Sequence, residues 1–450
     1  MCLKMTNVRL INHSSVLIQE GNEFVLTDPW FESPAFGSWF PVPPTSIPPA
    51  YLVALSKSVE NFFIAISHGH DDHLDDKFLS LFPKETVVVI PKYKSRGLLS
   101  RLKRIGFTNI LEAPPTGIKV GLFNIKSYIN MEISRDDAIL TIETPNSFIV
   151  HANDNWQEIQ GQNFASIKED AGKFGPEKTL YMSQCNLADG FPNIYEEYTE
   201  KEKVEIHNRR VDNIIKGSLM NAHNIGAGFF LNYAGYASAF VKDKPQLKNH
   251  CSFVTNEHVA KIQSSHGYKT EVVGMIPGDC FNFSSVSEMF AGVKLDPAYV
   301  KECSYDFYEN YSKILNCDTY KDYSALSDTD IQQGMQTFLD SFSTFVEKRL
   351  EPTNFNTDIA GFEIIFACPE ANLSSSTIVG EQDFFDGRRA TFSTTKSVMS
   401  QIIAGAINWE NLYIGYAATV KAEPKNTNIR SVVRWLAMYG YVYQRDTIYG

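Results

Sequence analysis

Residues Ile64–Asp76 read IAISHGHDDHLDD, an apolar run that breaks into three histidines and four aspartates. Few backbone arrangements can carry such a stretch. FFIAIS (Phe62–Ser67) has the length and apolar content of a buried strand. HGHDDH must then emerge at the C-terminal end of that strand, as a loop whose side chains converge. His68 and His70, two residues apart, fall on one side of an extended segment. Asp72 and His73 turn toward a second position. Neutral imidazoles and carboxylates are ligands for Zn, Fe or Mn, so the loop suits a pair of ions. With ten histidines in 450 residues, H-x-H-x-D-H arises by chance in on the order of a few in ten thousand chains. Metal binding therefore outweighs a polar surface loop.

The chain to about residue 240 is punctuated by β-rich runs such as SVLIQ, EFVLTD, TVVVIP, AILTIE, SFIVHA, TLYMSQ and GAGFFLNY, many separated by Gly, Pro or Asn. Helical spacing interleaves in DDKFLSLF and YKSRGLLSRLKRI. This order predicts an α/β protein with two packed sheets, or one large sheet, and outer helices. Beyond the polar KDKPQLKNH, helical spacing dominates, as in DTDIQQGMQTFLDSFSTFVEKRL. The expected division is a metal-binding domain at 1–245 and a helix-rich extension at 246–450 that completes the fold and the substrate pocket.

A net charge of −11 argues against nucleic acid as a partner. No run of about eighteen apolar residues suggests a membrane span, and MCLKMTNVRLINHSS lacks the apolar core of a secretion signal. Seven cysteines, an odd number without a C-x-x-C pair, fit reduced thiols in a cytoplasmic protein. The expected partner is a small-molecule substrate.

His68-Gly69-His70-Asp71-Asp72-His73 matches the H-x-H-x-D-H signature of the metallo-β-lactamase superfamily. LTDPWFESPAFGSWFPVPP (Leu26–Pro44), SFIVHANDNW, YMSQCNLADGFPNIY and WENLYIGY (Trp409–Tyr416) narrow the match. With them the chain resembles the lactamase-fold part of the CMP-N-acetylneuraminate hydroxylase family. That resemblance implies an αββα sandwich with a C-terminal extension. It also implies two divalent ions, Zn or Fe with Mn as a further option. His68 and His70 match ligands of the first ion, and Asp72 and His73 ligands of the second. Asp154 matches the carboxylate between them. His13 and Asp28 match positions beside the centre in the branch that includes ascorbate-6-phosphate lactonase.

Two departures stand out. Where the superfamily has its third first-metal histidine, near FNIKSYIN, this chain offers Asn130 or Glu132, of which Glu132 could ligate. Where it has its last histidine, the strand reads FFLNYAGY with Tyr233, flanked by His223 and His250. The C-x-H…C-x-x-H pattern of a Rieske cluster is absent, so oxygen chemistry would draw electrons from an external reductase or ferredoxin.

Several features have plainer readings. Asp75 and Asp76 cap and charge the start of the helix after the motif. His151 ends an apolar strand and is either a buried supporting histidine or, with His13, a group that steers protons. Arg209 and Arg210 fit a solvated helix face ahead of a clamp for a substrate phosphate or carboxylate. Cys185 fits a buried inert thiol. The aromatic and proline-rich loop fits either a wall of the substrate pocket or a structural cover. Hydrolysis by a metal-activated water leads the functional readings, with Asp72, His13 and His151 assisting. An iron oxygenase comes second. A scaffold that has lost its metal comes third.

Overall fold

The computed structural model describes residues 5–31, 33–129, 137–155, 161–241, 244–247, 254–290, 296–315, 326–350, 359–380 and 385–449. Strands come early and close together: β1 (Asn7–Asn12), β2 (Ser15–Glu20), β3 (Glu23–Thr27), β4 (Trp39–Pro41), β5 (Asn61–Ala65), β6 (Val87–Pro91) and β7 (Ile110–Ala113). There follow β8 (Ile118–Val120), β9 (Phe123–Ile129), β10 (Ala138–Glu143), β11 (Phe148–Asn153), β12 (Thr179–Gln184), β13 (Phe229–Tyr233) and β14 (Ala237–Ala239). Past residue 245 come β15 (Glu271–Val273), β16 (Cys280–Phe281) and β17 (Val286–Ser287).

They form an eight-stranded sheet ordered β17-β16-β1-β2-β3-β5-β6-β7 and a seven-stranded sheet ordered β15-β13-β12-β11-β10-β9-β8. Each is antiparallel in one half and parallel in the other. In the first, β3, β5, β6 and β7 run parallel; in the second, β11, β12, β13 and β15 do. Both sheets thus draw strands from beyond residue 245.

Parallel strands covered on both faces read as continuous apolar runs, and β5 (NFFIA) is one. Phe63 and Ala65 point between the sheets, where they meet Phe123, Ile125, Leu140 and Ile149 of the facing sheet. Phe62 and Ile64 point outward, to Leu52, Phe78, Leu98 and Leu102 of the outer helices. The second sheet repeats the pattern. Ile149 and Leu231 face inward, while Phe148, Val150 and Phe230 pack on the helix Glu200–Ile225. The result is four layers, helix–sheet–sheet–helix. Apolar alternation builds them, because each sheet buries both faces.

The C-terminal module adds β18 (Glu363–Cys368), β19 (Leu373–Ile378), β20 (Arg389–Ser393) and β21 (Thr419–Glu423), in the order β19-β18-β20-β21. Its core continues into the sandwich, since Trp30, Phe36, Trp39 and Tyr195 pack with Phe366, Trp409 and Tyr416. Trp39 Nε1 donates to Ile414 O at 2.8 Å. Among the described residues no helix is long and apolar enough to cross a membrane.

Phe123 is fully buried between the sheets, with its ring 6.2 Å from that of Phe63. Phe123→Ala should destabilise the protein by about 3–5 kcal/mol. Urea unfolding would show this as a lower midpoint at unchanged slope.

Candidate metal centre

The site collects at the C-terminal ends of β3, β5 and β11 and at the β1–β2 turn. Three of its residues have left-handed backbones, namely His13 (φ 36°), Asp28 (φ 33°) and Asn153 (φ 42°). Non-glycine residues hold that region at a cost of about 1–3 kcal/mol each. Such strain persists only where the surrounding packing over-determines it, and it clusters at functional sites. Arg101, on the helix Gly97–Ile105, pins the HGHDDH loop from outside. It donates to Gly69 O at 2.8 Å, Asp71 Oδ1 at 3.0 Å and Asp76 Oδ1 at 2.7 Å.

Asp28 is the hub. Its Oδ1 accepts Ser67 N–H at 2.7 Å and its Oδ2 accepts the Ser67 hydroxyl at 2.6 Å. Oδ2 also lies 2.8 Å from His73 Nδ1 and 2.8 Å from His151 Nε2. Burial would raise the Asp28 pKa, but His151 and His73 hold it well below the usual carboxylate range. An ionised Asp28 only accepts, so both imidazoles donate to it. Protonation at Nδ1 leaves His73 Nε2 as the atom that faces the site.

His73 Nε2 is buried with no hydrogen-bond partner, and so are both ring nitrogens of His13 and Asp72 Oδ1. His13 Nε2 lies 3.3 Å from Asp72 Oδ2, and His73 Nε2 lies 3.8 Å from the same oxygen. Buried donors that converge without hydrogen-bonding are costly unless an ion collects them. Two groups have ligand atoms within 4.8 Å of one another: His13, Asp72 and His73, and His68, His70 and Asp154. Asp154 lies between them, 3.9 Å from His68 Nε2 and 3.6 Å from His73 Nε2. These donor sets fit divalent metal ions.

Charges around the site diverge. Burial, then His73 and His70, push the His68 pKa well below its ordinary value. Burial opposes protonation of His70, yet Glu410, Asp72 and Asp154 raise it to about 9. His73 is likewise raised against its burial, by Asp72, Asp154 and Asp28. The surrounding carboxylates thus favour cations, whether protons or metal.

Several expectations change in the fold. His13, expected to steer protons, stands among the donors of the second group, with its ring edge-on to Trp30 at 5.0 Å. His151, the other expected proton carrier, is wholly buried with both nitrogens engaged. Nε2 meets Asp28, and Nδ1 lies 2.5 Å from the Tyr233 hydroxyl. It supports Asp28 and does not reach the open side of the site. Tyr233, where the last histidine was sought, buttresses instead: its hydroxyl also accepts Asn153 N–H at 2.9 Å, next to Asp154. His223 sits apart, its ring 5.5 Å from that of Tyr268. Asn130, Glu132 and His250 lie outside the described residues.

Asp75 caps the helix Asp76–Leu79 through Lys77 N and Phe78 N, and it also holds Ser33 N and Oγ of the aromatic loop. Asp76 charges the first turn of that helix, as expected, and also pairs with Arg101. The aromatic loop covers the site, Trp30 against His13 and Phe36 6.0 Å from His70. Arg209 is exposed, as expected, while Arg210 is half-buried: it pairs with Asp189 at 2.5 Å and lies 5.3 Å over the Phe191 ring. Cys185 is buried, and burial pushes its thiol pKa far up.

Sequence reasoning missed Asp137, 3.5 Å from His68 Nδ1, and Glu410, 3.3 Å from His70 Nε2. Asp137 stands in no spaced motif, and Glu410, though inside WENLYIGY, was not singled out there as a site residue.

The chain is similar to several known proteins over part or most of its length. No family model matches the chain. Cytidine monophosphate-N-acetylneuraminic acid hydroxylase of Asterias rubens is 21% identical over 93% of this chain and 63% of its own length. A protein described as a Rieske 2Fe-2S iron-sulfur protein, from Mycolicibacterium smegmatis, is 31% identical over 106 residues, 23% of this chain. The chain thus spans about a fifth of that relative's length and just under two thirds of the hydroxylase's. Among solved structures, Igni18, a metallo hydrolase from Ignicoccus hospitalis, aligns over 64% of this chain and 100% of its own. Its identity is 14% and its TM-score 0.39. The fold is the four-layered αββα sandwich that the sequence resemblance implied. The resemblance to the hydroxylase family extends over nearly the whole chain, the C-terminal module included.

Asp28→Asn replaces the shared acceptor with a group that also donates. It should cost about 10–100-fold in metal affinity, checked by metal content after gel filtration against the unaltered protein.

Proposed function

We propose that the chain is a dinuclear metal enzyme that hydroxylates a small metabolite with dioxygen. His68, His70 and Asp154 would hold one ion, and His13, Asp72 and His73 the other. The observation that carries this reading is that two such donor groups occur in a chain that resembles a hydroxylase over 93% of its length. Each is two imidazoles and one carboxylate, the donor set of non-haem iron oxygenases. The relative that spans 93% of the chain supports it, since that protein is a hydroxylase. Iron bound there would supply the dioxygen chemistry that side chains lack. A C–H bond becomes C–OH while the second oxygen atom leaves as water, consuming two electrons and two protons. A reductase or ferredoxin is the class of donor required. An anionic metabolite is the proposed substrate class.

The protein's own part is positioning. Asp28 keeps His73 donating from Nδ1, and the Ser67 hydroxyl, committed to Asp28, accepts from His68 Nδ1 at 2.9 Å. Both Nε2 atoms are thereby turned to the centre. Trp30 and Phe36 exclude water from one side. His70 and Asp154, with side chains 29% and 21% exposed, mark the open side, where a substrate can approach.

A second reading is hydrolysis of an ester, amide, lactone or phosphoester. Two histidines with one carboxylate also bind catalytic zinc. The placement of Asp154 between the groups favours it, because ion pairs that share a carboxylate activate one water.

Elemental analysis and an absorption spectrum of protein purified without tags or chelators separate the readings. Iron with oxygen-sensitive near-ultraviolet absorption supports the hydroxylase. About two equivalents of zinc, without colour, support hydrolysis. No uptake from excess iron or zinc overturns both in favour of a metal-free scaffold. His70→Ala with Asp154→Ala should abolish metal uptake and leave the circular dichroism spectrum unchanged; retained metal would sink the ligand assignment.

A further inference from the structure

We propose that Glu410, from the C-terminal module, is the positioning residue for His70 and so sets the metal affinity of one donor group. The inference rests on the metal-centre reading above. Glu410 Oε1 lies 3.3 Å from His70 Nε2. The other ring nitrogen of His70, Nδ1, faces His68 Nε2 at 2.9 Å. His68 donates from Nδ1 to Ser67 Oγ, whose own proton is committed to Asp28. Its Nε2 therefore turns a lone pair toward His70. A carboxylate at Nε2 leaves Nδ1 as the His70 nitrogen that faces the donor group, beside His68 Nε2 and near Asp154.

Glu410 itself stands outside the group of atoms that converge within 4.8 Å. It acts through His70, as outer carboxylates do when they fix the tautomer and tilt of a ligating imidazole. His70 needs this more than its neighbours. It is the most exposed of the three histidines in the loop, and the other two are already tied to Ser67 and Asp28.

The position of Glu410 is determined from three sides. Its helix, Trp409–Tyr413, begins at Asn408, whose side chain accepts Asn411 N–H at 3.1 Å. Trp409 stacks on Phe366 at 5.7 Å and stands edge-on to Phe392 at 4.7 Å. Across the module boundary, Gly190 approaches so closely that a Cβ there would lie 2.8 Å from Tyr413 O. Packing in the C-terminal module is thereby transmitted to a single imidazole of the metal centre.

The test titrates the full-length chain with cobalt(II) and follows stoichiometry and the visible ligand-field absorption. E410A should weaken one of the two equivalents by about 10–100-fold and alter its bands, with the other equivalent unchanged. E410Q keeps an oxygen that accepts Nε2–H, so it should recover much of the loss. E410A with unaltered affinities and spectrum overturns the proposal. So does an equal loss at both equivalents in E410A and E410Q, as a merely structural role would give. If E410A does not fold, E410D takes its place with the same two arms. Failure of the unaltered protein to bind cobalt overturns instead the metal-centre reading beneath.

Discussion

The centre depends on one buried carboxylate. Asp28 sits between the sheets with its charge kept by two imidazoles, one hydroxyl and one backbone amide. An isolated ion there would cost several kcal/mol, and the four donors offset that cost. In return Asp28 dictates the protonation of everything around it. His73 and His151 donate to it directly, and His68 is set through Ser67. Tautomer choice, which no donor could make alone, is thus settled by a residue that touches no open space.

Strain follows from the same demand. Asp28, His13 and Asn153 leave regular strands at positive φ, each turning a side chain or its successor inward at a strand end. The sandwich supports these turns with rigid packing on both sides. Ala234 N–H donates to His13 O at 2.8 Å, and Tyr233 holds Asn153. Through Ala234 and His151 the second sheet pins His13 and Asp28 of the first, so the centre needs both sheets in register.

The C-terminal module is more than an appendage to this arrangement. Its core admits Trp30, Phe36 and Trp39 from the loop over the site, and Lys244 Nζ donates to Tyr416 O at 2.8 Å. Glu410 reaches His70 from that module. Aromatic packing and one carboxylate thus join two structural units at the side of the centre where a substrate would enter.

The amino-acid pattern alone determined a great deal. A continuous apolar run ending in HGHDDH reads as a buried strand with a convergent loop, and a strand places alternate residues on its two faces. Asp75, directly ahead of a helical pattern, was legible as a cap because capping is local. His13, Asp28 and Asp154 could be matched to a known pattern, but not grouped. That His13 stands with Asp72 and His73, while Asp154 stands with His68 and His70, depends on which strand ends the sandwich brings together. The roles of Tyr233, Asp137 and Glu410 were invisible for the same reason. They are single polar residues, separated along the chain from the atoms they touch, and only long-range packing of sheets and module carries them to the site.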